Sequence, residues 1–498
     1  MRLLFVVGGM RVALSVDADG AVIRLRRYKE LHDQYLKLFE EELSALTCYA
    51  TDFVESEGAT IEEFFKECRE IRDGQYTALF EEHTYAWCVV RARNVMHWQR
   101  WSSNGSGQGG TGQLGLGTEV DYDLPQRWDN AQVGSRFSGS ARFCALIAVT
   151  AAATGAGVCG IRGDGRLFLW GLDDRGQLRR SKPARTQSVV TAPIQPVAFE
   201  HKTKLVACGW WHTLVVVSND STGDQAFSWG SNDNLQLGRD KSSAGDEVET
   251  ALMVQLPLRL QVLSIACGWK HSLLATVDGR VFSWGSGRHG QLGLGSAILK
   301  TERPKRIEGL DGAAITDVCC GWEHSVFLSS SGEVFTCGNN RHGQLGVPTS
   351  ASTAVESSQK KRKPVVALPA RVADPRDKAL GLRTVQVGCG WHFVLCLTED
   401  GDLTTWGKGS HGQLGLGELE NAGEPQVVTF THAVRQIACG SEHSMVVTSS
   451  GDLYTCHGDK TTRSSLEKVD FFADANLEVL RVAAGGAVSI AVTRDRHQ

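Results

Sequence analysis

The sequence predicts a mainly β protein, a seven-bladed β-propeller, from three observations. A segment of the form A/C-C-G-W-x-H-S/T recurs along the chain. Each copy is followed by two β-rich runs and, in most copies, by a tail of the form W-G-x-x-x-x-G-Q-L-G, and no helical pattern separates the copies. Counted from the cysteine, the copies begin at Cys208, Cys267, Cys320, Cys389 and Cys439. The copies are therefore 59, 53, 69 and 50 residues apart. A repeat of this length is typical of arrays whose units cannot bury their apolar faces alone.

Each copy is predicted to form a β-hairpin. In HSLLATVDGRVFSW the two apolar runs flank Asp278-Gly279, and in HSVFLSSSGEVFTC they flank Ser331-Gly332. Glycine supplies the positive φ that a tight hairpin turn requires. The glycine-rich tail that follows excludes a helix interior. Four-stranded units repeated six or seven times are typical of a β-propeller.

The number of copies predicts how the ring closes. The chain contains seven tails and seven hairpins, but the first tail, at 101–117, has no hairpin directly before it. The last hairpin, at 485–494, has no tail. We therefore expect the C-terminal hairpin to complete the first blade. Closure removes the free strand edges that would otherwise promote aggregation.

These repeats resemble those of the regulator of chromosome condensation family. The resemblance rests on the motif from Cys267 to His271, on the following D-G-R-V-F-S-W-G and on G-Q-L-G-L-G, and it covers 98–498. It implies a seven-bladed propeller. It also implies a scaffold used for guanine-nucleotide exchange on a small GTPase, for chromatin docking, for light sensing or as an adaptor.

The first hundred residues differ from the repeats. Residues 1–24 are predicted to form strands, and whether they belong to the propeller stays open. Residues 25–97 are predicted to form a small helical domain, in which 26–82 carries 15 Asp and Glu against 7 Lys and Arg. Apolar residues there recur at helical spacing.

The line Y-K-E-L-H-D-Q-Y-L-K-L-F-E at 28–40, with G-A-T-I-E-E-F-F at 58–65, resembles the BART type of helical domain. That resemblance implies binding of an ADP-ribosylation-factor-like GTPase. The alternative is a helical cap that covers one face of the propeller.

Composition limits the class of partner. The 498 residues are 42% hydrophobic and carry a net charge of −4, so no broad phosphate-binding surface and no nucleic-acid partner is expected. No apolar run reaches about 18 residues, so no membrane span is expected. We expect a cytoplasmic or nuclear monomer. Five of the 14 cysteines share one repeat phase and are predicted to be small buried residues with reduced thiols.

The repeated C-x-x-x-H pairs are the candidates for metal or catalytic chemistry. A structural zinc site needs four converging ligands, whereas these pairs belong to different blades, so packing is the preferred interpretation. Catalysis needs one asymmetric constellation, whereas these positions repeat. The sequence therefore predicts no enzyme active site, no metal and no cofactor. Guanine-nucleotide exchange would not require such a constellation.

Four tryptophans are the candidate partner-binding residues. They follow the first glycine of consecutive hairpins, so we expect an arc on one side of the ring, formed by Trp210, Trp269, Trp322 and Trp391. Packing between blades and an aromatic docking face are both open interpretations, since Trp is favoured at interaction hot spots. The light-sensing members of the resembled family carry G-W-R-H-T at this phase. That repeated arginine is missing here.

A long loop at 347–386 contains a basic run formed by Lys360, Lys361, Arg362 and Lys363. An exposed basic run can serve nuclear import. The alternative is a solvated loop.

Three functions remain at this stage. The first is a non-enzymatic interaction scaffold or adaptor that works with a small GTPase. The second is a guanine-nucleotide exchange factor for a Ran-like or ADP-ribosylation-factor-like GTPase, and the third is a chromatin-binding protein. Exchange predicts a patch of asymmetric, non-repeat residues on one propeller face. If the chain is an adaptor, we expect the tryptophan arc or the 347–386 loop to be exposed. If it binds chromatin, we expect a positively charged rim on the propeller.

Overall fold

A computed structural model divides the chain into two compact units, residues 1–97 and 98–498. It describes strands at 2–7, 10–16, 23–26 and 105–106, and most of 146–495. The gaps within that last range are 152–156, 163–164, 174, 179–188, 195–198, 220–222, 240–246, 258, 348–364, 374–382, 457–463, 475 and 487.

The first unit contains a three-stranded antiparallel sheet in the order β1-β2-β3. Its strands are β1 (Arg2–Val7), β2 (Met10–Val16) and β3 (Ile23–Arg26). From residue 27 onward, the segment predicted to be helical lies outside the described residues, and so does the resemblance to a BART-type domain.

The second unit contains seven antiparallel sheets, here called blades 1 to 7. Blade 1 begins with β4 (Gly105–Ser106). Blade 2 consists of β5 (Leu146–Ala151), β6 (Gly157–Arg162), β7 (Leu167–Leu172) and β8 (Val189–Ile194). Blade 3 consists of β9 (Thr203–Cys208), β10 (His212–Val217), β11 (Gln225–Ser231) and β12 (Glu247–Met253). Blade 4 consists of β13 (Val262–Cys267), β14 (His271–Thr276), β15 (Val281–Ser286) and β16 (Lys300–Arg306).

The next three blades repeat this order, and a short 3-10 helix (Glu308–Leu310) precedes them. Blade 5 consists of β17 (Ile315–Cys320), β18 (His324–Ser329), β19 (Val334–Asn339) and β20 (Val365–Arg371). Blade 6 consists of β21 (Thr384–Cys389), β22 (Phe393–Thr398), β23 (Leu403–Gly407) and β24 (Ala422–Val427). Blade 7 consists of β25 (Val434–Cys439), β26 (Ser444–Thr448), β27 (Leu453–Cys456) and β28 (Glu467–Lys468).

The two ends of the repeat region meet in blade 1, which confirms the predicted closure. After the helix α1 (Asp470–Asp474), β29 (Leu477–Gly485) and β30 (Val488–Asp495) form the last hairpin. Strand β30 then pairs with β4, with Ser489 opposite Ser106. The first strand of each blade contacts that of the next, and β29 contacts both β25 and β5. The ring of seven blades is therefore closed.

Glycine explains two features of the repeat. Gly279 and Gly332, in the predicted hairpin turns, have φ values of 81° and 87°. The glycine before each tryptophan instead avoids a collision. A Cβ at Gly321 would lie 1.9 Å from Cε1 of His324, and one at Gly390 would lie 1.9 Å from Cε1 of Phe393. These contacts explain why glycine precedes the tryptophan in C-G-W-x-H.

The described tails, those of blades 2 to 6, are each tied to the next blade through one backbone carbonyl. The Gln236 carbonyl of blade 3 accepts a hydrogen bond from Nε1 of Trp284 at 2.8 Å and from Oγ of Ser272 at 3.0 Å, both in blade 4. The Gln177 carbonyl of blade 2 accepts from Trp229 and Thr213 of blade 3 in the same way. The W, the Q and the S/T of the repeat are thus parts of one connection between blades.

The repeated histidines form a second connection, here called the His–Ser link. Nε2 of the histidine lies within hydrogen-bond distance of a serine Oγ in the next blade. The pairs are His212–Ser272 at 2.8 Å, His271–Ser325 at 3.0 Å and His443–Ser489 at 2.8 Å. Since Ser272 and Ser325 donate their hydroxyls to carbonyls, His212 and His271 must donate to them.

The junction between blades 5 and 6 lacks this link. Blade 6 reads G-W-H-F-V, so Val394 stands where blades 3, 4, 5 and 7 place a serine or threonine. His324 is completely buried, and neither of its ring nitrogens has a hydrogen-bond partner among the described residues. Burial lowers its pKa to about 3, so the ring is neutral at physiological pH.

The first strands of blades 6, 7 and 1 carry a third connection. The Gln386 side chain donates to the Ile437 carbonyl and accepts from the Ile437 amide, both at 3.0 Å. Gln436 makes the same pair of bonds to Val482, both at 3.1 Å. Each glutamine thus satisfies two backbone groups of the following blade.

Apolar side chains fill the spaces between blades. The largest of them are the tail tryptophans, which are at most 1% exposed, namely Trp170, Trp229, Trp284 and Trp406. In the described part of the chain, no helix has the length and apolar character needed to cross a membrane.

Candidate functional site

The loop between the first and second strands places each candidate tryptophan at the same end of its blade. In blade 4, β13 ends at Cys267 and β14 begins at His271, so Trp269 lies at the tip of a three-residue connection. The Gly268 amide donates to the His271 carbonyl at 2.9 Å and closes the turn. The repeat therefore puts all four tryptophans at one end of the propeller.

The four rings form a cluster rather than an open arc, and Trp322 contacts the other three. Its ring centroid lies 4.8 Å from Trp391, 4.9 Å from Trp269 and 5.9 Å from Trp210. Trp210 and Trp391 are 6.0 Å apart. We call this group the tryptophan cluster. The spacing of the repeat predicted the shared side of the ring but not the convergence of the side chains.

The members of the cluster differ in burial. Trp269 is 2% exposed, and Lys270 Nζ lies 3.6 Å from the centroid of its ring. Trp210, Trp322 and Trp391 are half-buried. Nε1 of Trp391 is buried and has no hydrogen-bond partner within the described residues. Packing therefore accounts fully for Trp269, while the other three rings still present aromatic surface.

A ring of dissimilar residues surrounds the cluster, because the position after each tryptophan, and after its blade 7 counterpart Ser441, varies. These residues are Trp211, Lys270, Glu323, His392 and Glu442. The tail of the preceding blade lies against several of them. Arg175 lies 5.5 Å from the ring of Trp211, and His342 lies 5.0 Å from His392. We call this set the variable ring.

Two buried carboxylates in the variable ring are held by partners on tails. Glu323 is 3% exposed and contacts His289 Nδ1 at 3.1 Å, and it accepts from Asn339 Nδ2 at 2.8 Å. Glu442 pairs with Lys408 Nζ at 3.0 Å. The His289–Glu323 and Lys408–Glu442 pairs cross from one blade to the next, whereas the Asn339 bond lies within blade 5.

His392 is a neutral member of the variable ring at physiological pH. Burial lowers its pKa well below the ordinary value, and the positive charges of His342, Lys408 and Arg341 lower it further. Its ring stacks on Trp322 with an interplanar angle of 11°. A neutral imidazole therefore extends the aromatic surface of the cluster.

Analysis of the sequence missed the variable ring. The repeat draws attention to residues that recur, whereas this position changes from aromatic to basic to acidic. Such a change at one position between constant neighbours was the signal that could have found it. The other candidate, the basic run from Lys360 to Lys363, lies outside the described residues.

A closed seven-bladed ring built from C-G-W-x-H hairpins and G-Q-L-G tails defines a propeller of the regulator of chromosome condensation type. The family model described as the RCC1-like domain matches residues 104–491. The chain belongs to this family.

Curated relatives differ in how much of their length the chain covers. It is 29% identical over 360 residues to the Ultraviolet-B receptor UVR8 of Arabidopsis thaliana, covering 70% of this chain and 71% of that protein. It is 30% identical over 363 residues to the Secretion-regulating guanine nucleotide exchange factor of Mus musculus, covering 68% of this chain and 70% of that protein. The match to the mouse E3 ubiquitin-protein ligase HERC2, 31% identical over 294 residues, covers 58% of this chain but only 6% of that protein.

Solved structures show the same fold. Human WBSCR16 superposes with a TM-score of 0.62 at 21% identity, covering 79% of this chain and 98% of that chain. Prp20p from Saccharomyces cerevisiae superposes with a TM-score of 0.61 at 20% identity, covering 78% of this chain and 90% of that chain.

Proposed function

We propose that the chain is a non-enzymatic interaction scaffold whose tryptophan cluster binds a protein partner, and that it works with a small GTPase. The observation that carries this proposal is the convergence of three half-buried indoles at one end of the propeller. Tryptophan is enriched among the residues that dominate binding energy at protein interfaces. The surrounding charges of the variable ring supply specificity for one partner.

Relatives support a small GTPase as the partner class. The mouse relative is named as a guanine nucleotide exchange factor and matches over 70% of its own length. The structure of yeast Prp20p is described together with its binding to Gsp1p and histones. Histone binding would fit the third, chromatin-related function, but the variable ring mixes buried acidic residues with basic ones and does not form a uniformly positive surface.

Guanine-nucleotide exchange is the second candidate function, and the variable ring favours it. Exchange predicts a patch of asymmetric residues on one face, and Lys270, Glu323 and His392 occupy equivalent positions with different chemistry. An exchange factor needs no acid–base group. It binds the nucleotide-free GTPase best and so shifts the equilibrium toward nucleotide release.

Release of fluorescent GDP from Ran-like and ADP-ribosylation-factor-like GTPases tests both functions. The full chain and residues 98–498 are compared, and binding of each GTPase is measured by calorimetry in parallel. Binding without accelerated release supports the scaffold, and accelerated release makes the chain an exchange factor. If no GTPase binds and none releases GDP faster, small GTPases are rejected as the partner class.

Charge reversal tests whether the partner binds at the end of the propeller that carries the tryptophan cluster. Lys270→Glu places a negative charge beside Trp269, and we expect it to weaken binding about tenfold or more. Lys202→Glu is the matched control, because exposed Lys202 precedes β9 and lies at the opposite end of its blade. Equal effects of the two substitutions would contradict binding at the tryptophan cluster.

A further inference from the structure

Two pairs of thiols face each other across junctions between blades. Sγ of Cys159 in β6 lies 3.1 Å from Sγ of Cys208 in β9. Sγ of Cys319 in β17 lies 3.2 Å from Sγ of Cys389 in β21. None of the four is joined in a disulfide. A disulfide has a sulfur–sulfur distance of about 2.05 Å, so bond formation requires each pair to close by only about 1 Å.

The two pairs differ in access. Cys159 and Cys208 are both buried, at 0% and 6% exposure. Cys389 is also buried, whereas Cys319 is half-buried. A small oxidant can therefore reach one sulfur of the second pair.

The neighbouring thiol is not an alternative partner for Cys319. Adjacent residues of a strand point to opposite faces of the sheet, so Cys320 faces away from Cys319. Burial raises the pKa of the Cys320 thiol well above its ordinary value, and nearby Cys267 of blade 4 raises it further. Cys320 thus faces blade 4, while Cys319 faces Cys389 of blade 6.

The junction that holds the accessible pair is one of those without a His–Ser link, as is the junction of blades 2 and 3, where Gly157 stands in the histidine position. Val394 cannot bond His324, and it cannot donate to the Gln344 carbonyl as Ser325 donates to Gln291. Blades 5 and 6 therefore have fewer polar connections near these cysteines than blades 4 and 5. Small movements that bring the two sulfurs together cost correspondingly less here.

We propose that Cys319 and Cys389 form an oxidation site that reacts with hydrogen peroxide and closes to a disulfide between blades 5 and 6. In the first step the Cys319 sulfur attacks one peroxide oxygen, giving the sulfenic acid and one water. In the second step the Cys389 sulfur attacks the sulfenic sulfur, and the hydroxyl group leaves with the thiol proton as a second water. Two thiols and one peroxide thus give one disulfide and two waters.

Burial assigns the order of the two cysteines. It raises the pKa of Cys389 well above the ordinary value and shields this thiol from peroxide, so half-buried Cys319 is oxidised first and Cys389 loses its proton only as it attacks the sulfenic sulfur. Cys319 stands three residues before Trp322, and Cys389 stands two residues before Trp391. The disulfide would therefore hold the blade junction directly beneath the two tryptophans that contact each other at 4.8 Å. The oxidation itself does not depend on the proposed function.

A non-reducing tryptic map of the full chain after treatment with hydrogen peroxide tests the site. We expect a disulfide to join the peptides 307–341 and 384–408, which contain Cys319 and Cys389. The buried pair serves as an internal control, and linkage of 143–162 to 205–239 should form at least about tenfold more slowly. Oxidation of Cys319 without linkage of these peptides would overturn the proposal.

Serine variants assign the linked residues, since 307–341 also contains Cys320 and Cys337 and 384–408 also contains Cys396. Cys319→Ser should abolish the linkage, and Cys320→Ser should leave it unchanged. In Cys389→Ser the sulfenic acid has no resolving thiol, so dimedone should trap it on Cys319. Linkage that persists in Cys319→Ser would also reject the site. Circular dichroism of each variant confirms that it is folded.

Discussion

The buried histidines show how one residue can serve a repeat without chemistry of its own. His212, His271 and His443 each bond a serine of the next blade, and burial lowers the pKa of each to about 3. His324 is buried to the same extent but lacks a partner. Blade 6 replaces the histidine by Phe393 and thus avoids a buried polar ring. The repeated histidines therefore stabilise the ring at neutral pH and oppose folding at acid pH.

Acid should destabilise the protein through these histidines. Their folded pKa of about 3 lies below the ordinary 6.5, so the unfolded chain binds more protons between these values. Stability is therefore complete above pH 6.5 and falls as pH decreases toward 3. Each histidine contributes about 1.4 kcal/mol per pH unit in this range. We expect His324→Phe to remove the contribution of one histidine, about 1.4 kcal/mol per pH unit, from the pH dependence of the free energy of unfolding. Urea unfolding at several pH values measures it.

His271→Phe is the matched control. It should reduce the slope equally, but it should also cost about 1 kcal/mol at pH 7, because it removes the bond to Ser325. His324→Phe removes no hydrogen bond, so it should cost nothing at pH 7. An equal loss in both variants at pH 7 would show that the His–Ser link contributes no stability.

At the residue scale, the sequence predicted burial of the repeat positions but not their individual surroundings. The phase of Cys267 and its counterparts predicted small buried thiols, and they are buried. The closeness of Cys319 to Cys389 was not predictable, because the two residues are 70 positions apart and the distance depends on how two blades pack.

Between elements, stability depends on polar bonds that cross from one blade to the next. Gln436 is the clearest example, since its amide satisfies both the N–H and the C=O of Val482. Gln436→Met keeps the volume but leaves these two backbone groups without their partner. We expect a loss of about 1–3 kcal/mol in the free energy of unfolding, measured with urea.

The control for Gln436 is Gln426→Met. Gln426 lies on the outer strand β24 and bonds only the nearby Glu424 carbonyl in the described structure, at 3.4 Å. Its loss should change stability by less than about 0.5 kcal/mol. If both substitutions had the same small effect, the glutamine bonds between blades would not contribute to stability.

At the element scale, the hairpins were predictable and the outer strands were not. In β14 all six residues are buried, so its apolar run predicted a strand. In β16, Lys300–Arg306, only Thr301 is buried, and the charged side chains resemble those of a loop. Pairing with β15 makes this segment a strand, and that pairing is a tertiary property.

For the whole molecule, the last hairpin should be indispensable. Removal of residues 477–498 deletes β29 and β30, so blade 1 is lost and the edges of blades 2 and 7 are left open. We expect an aggregated chain without a cooperative thermal transition. Removal of 496–498 alone is the control and should leave the transition unchanged. A soluble, cooperatively folding 1–476 fragment would show that closure is not required.

The sequence predicted the closed ring because a count of tails and hairpins is a property of the whole chain. A tail at 101–117 without its hairpin and a hairpin at 485–494 without its tail can be reconciled only by joining them. The tryptophan cluster was predicted less completely. Its side of the ring follows from spacing, whereas the contacts of Trp322 with three other rings depend on how the blades are tilted.

The pairing of β30 with β4 has a consequence for synthesis of the chain. Ser106 enters its sheet only when Ser489 is available, nearly four hundred residues later. During translation, six blades can emerge from the ribosome as an open arc with unpaired strand edges at both ends. The ring can close only after residues 488–495 have been synthesised, and until then those open edges are exposed to pairing with other chains.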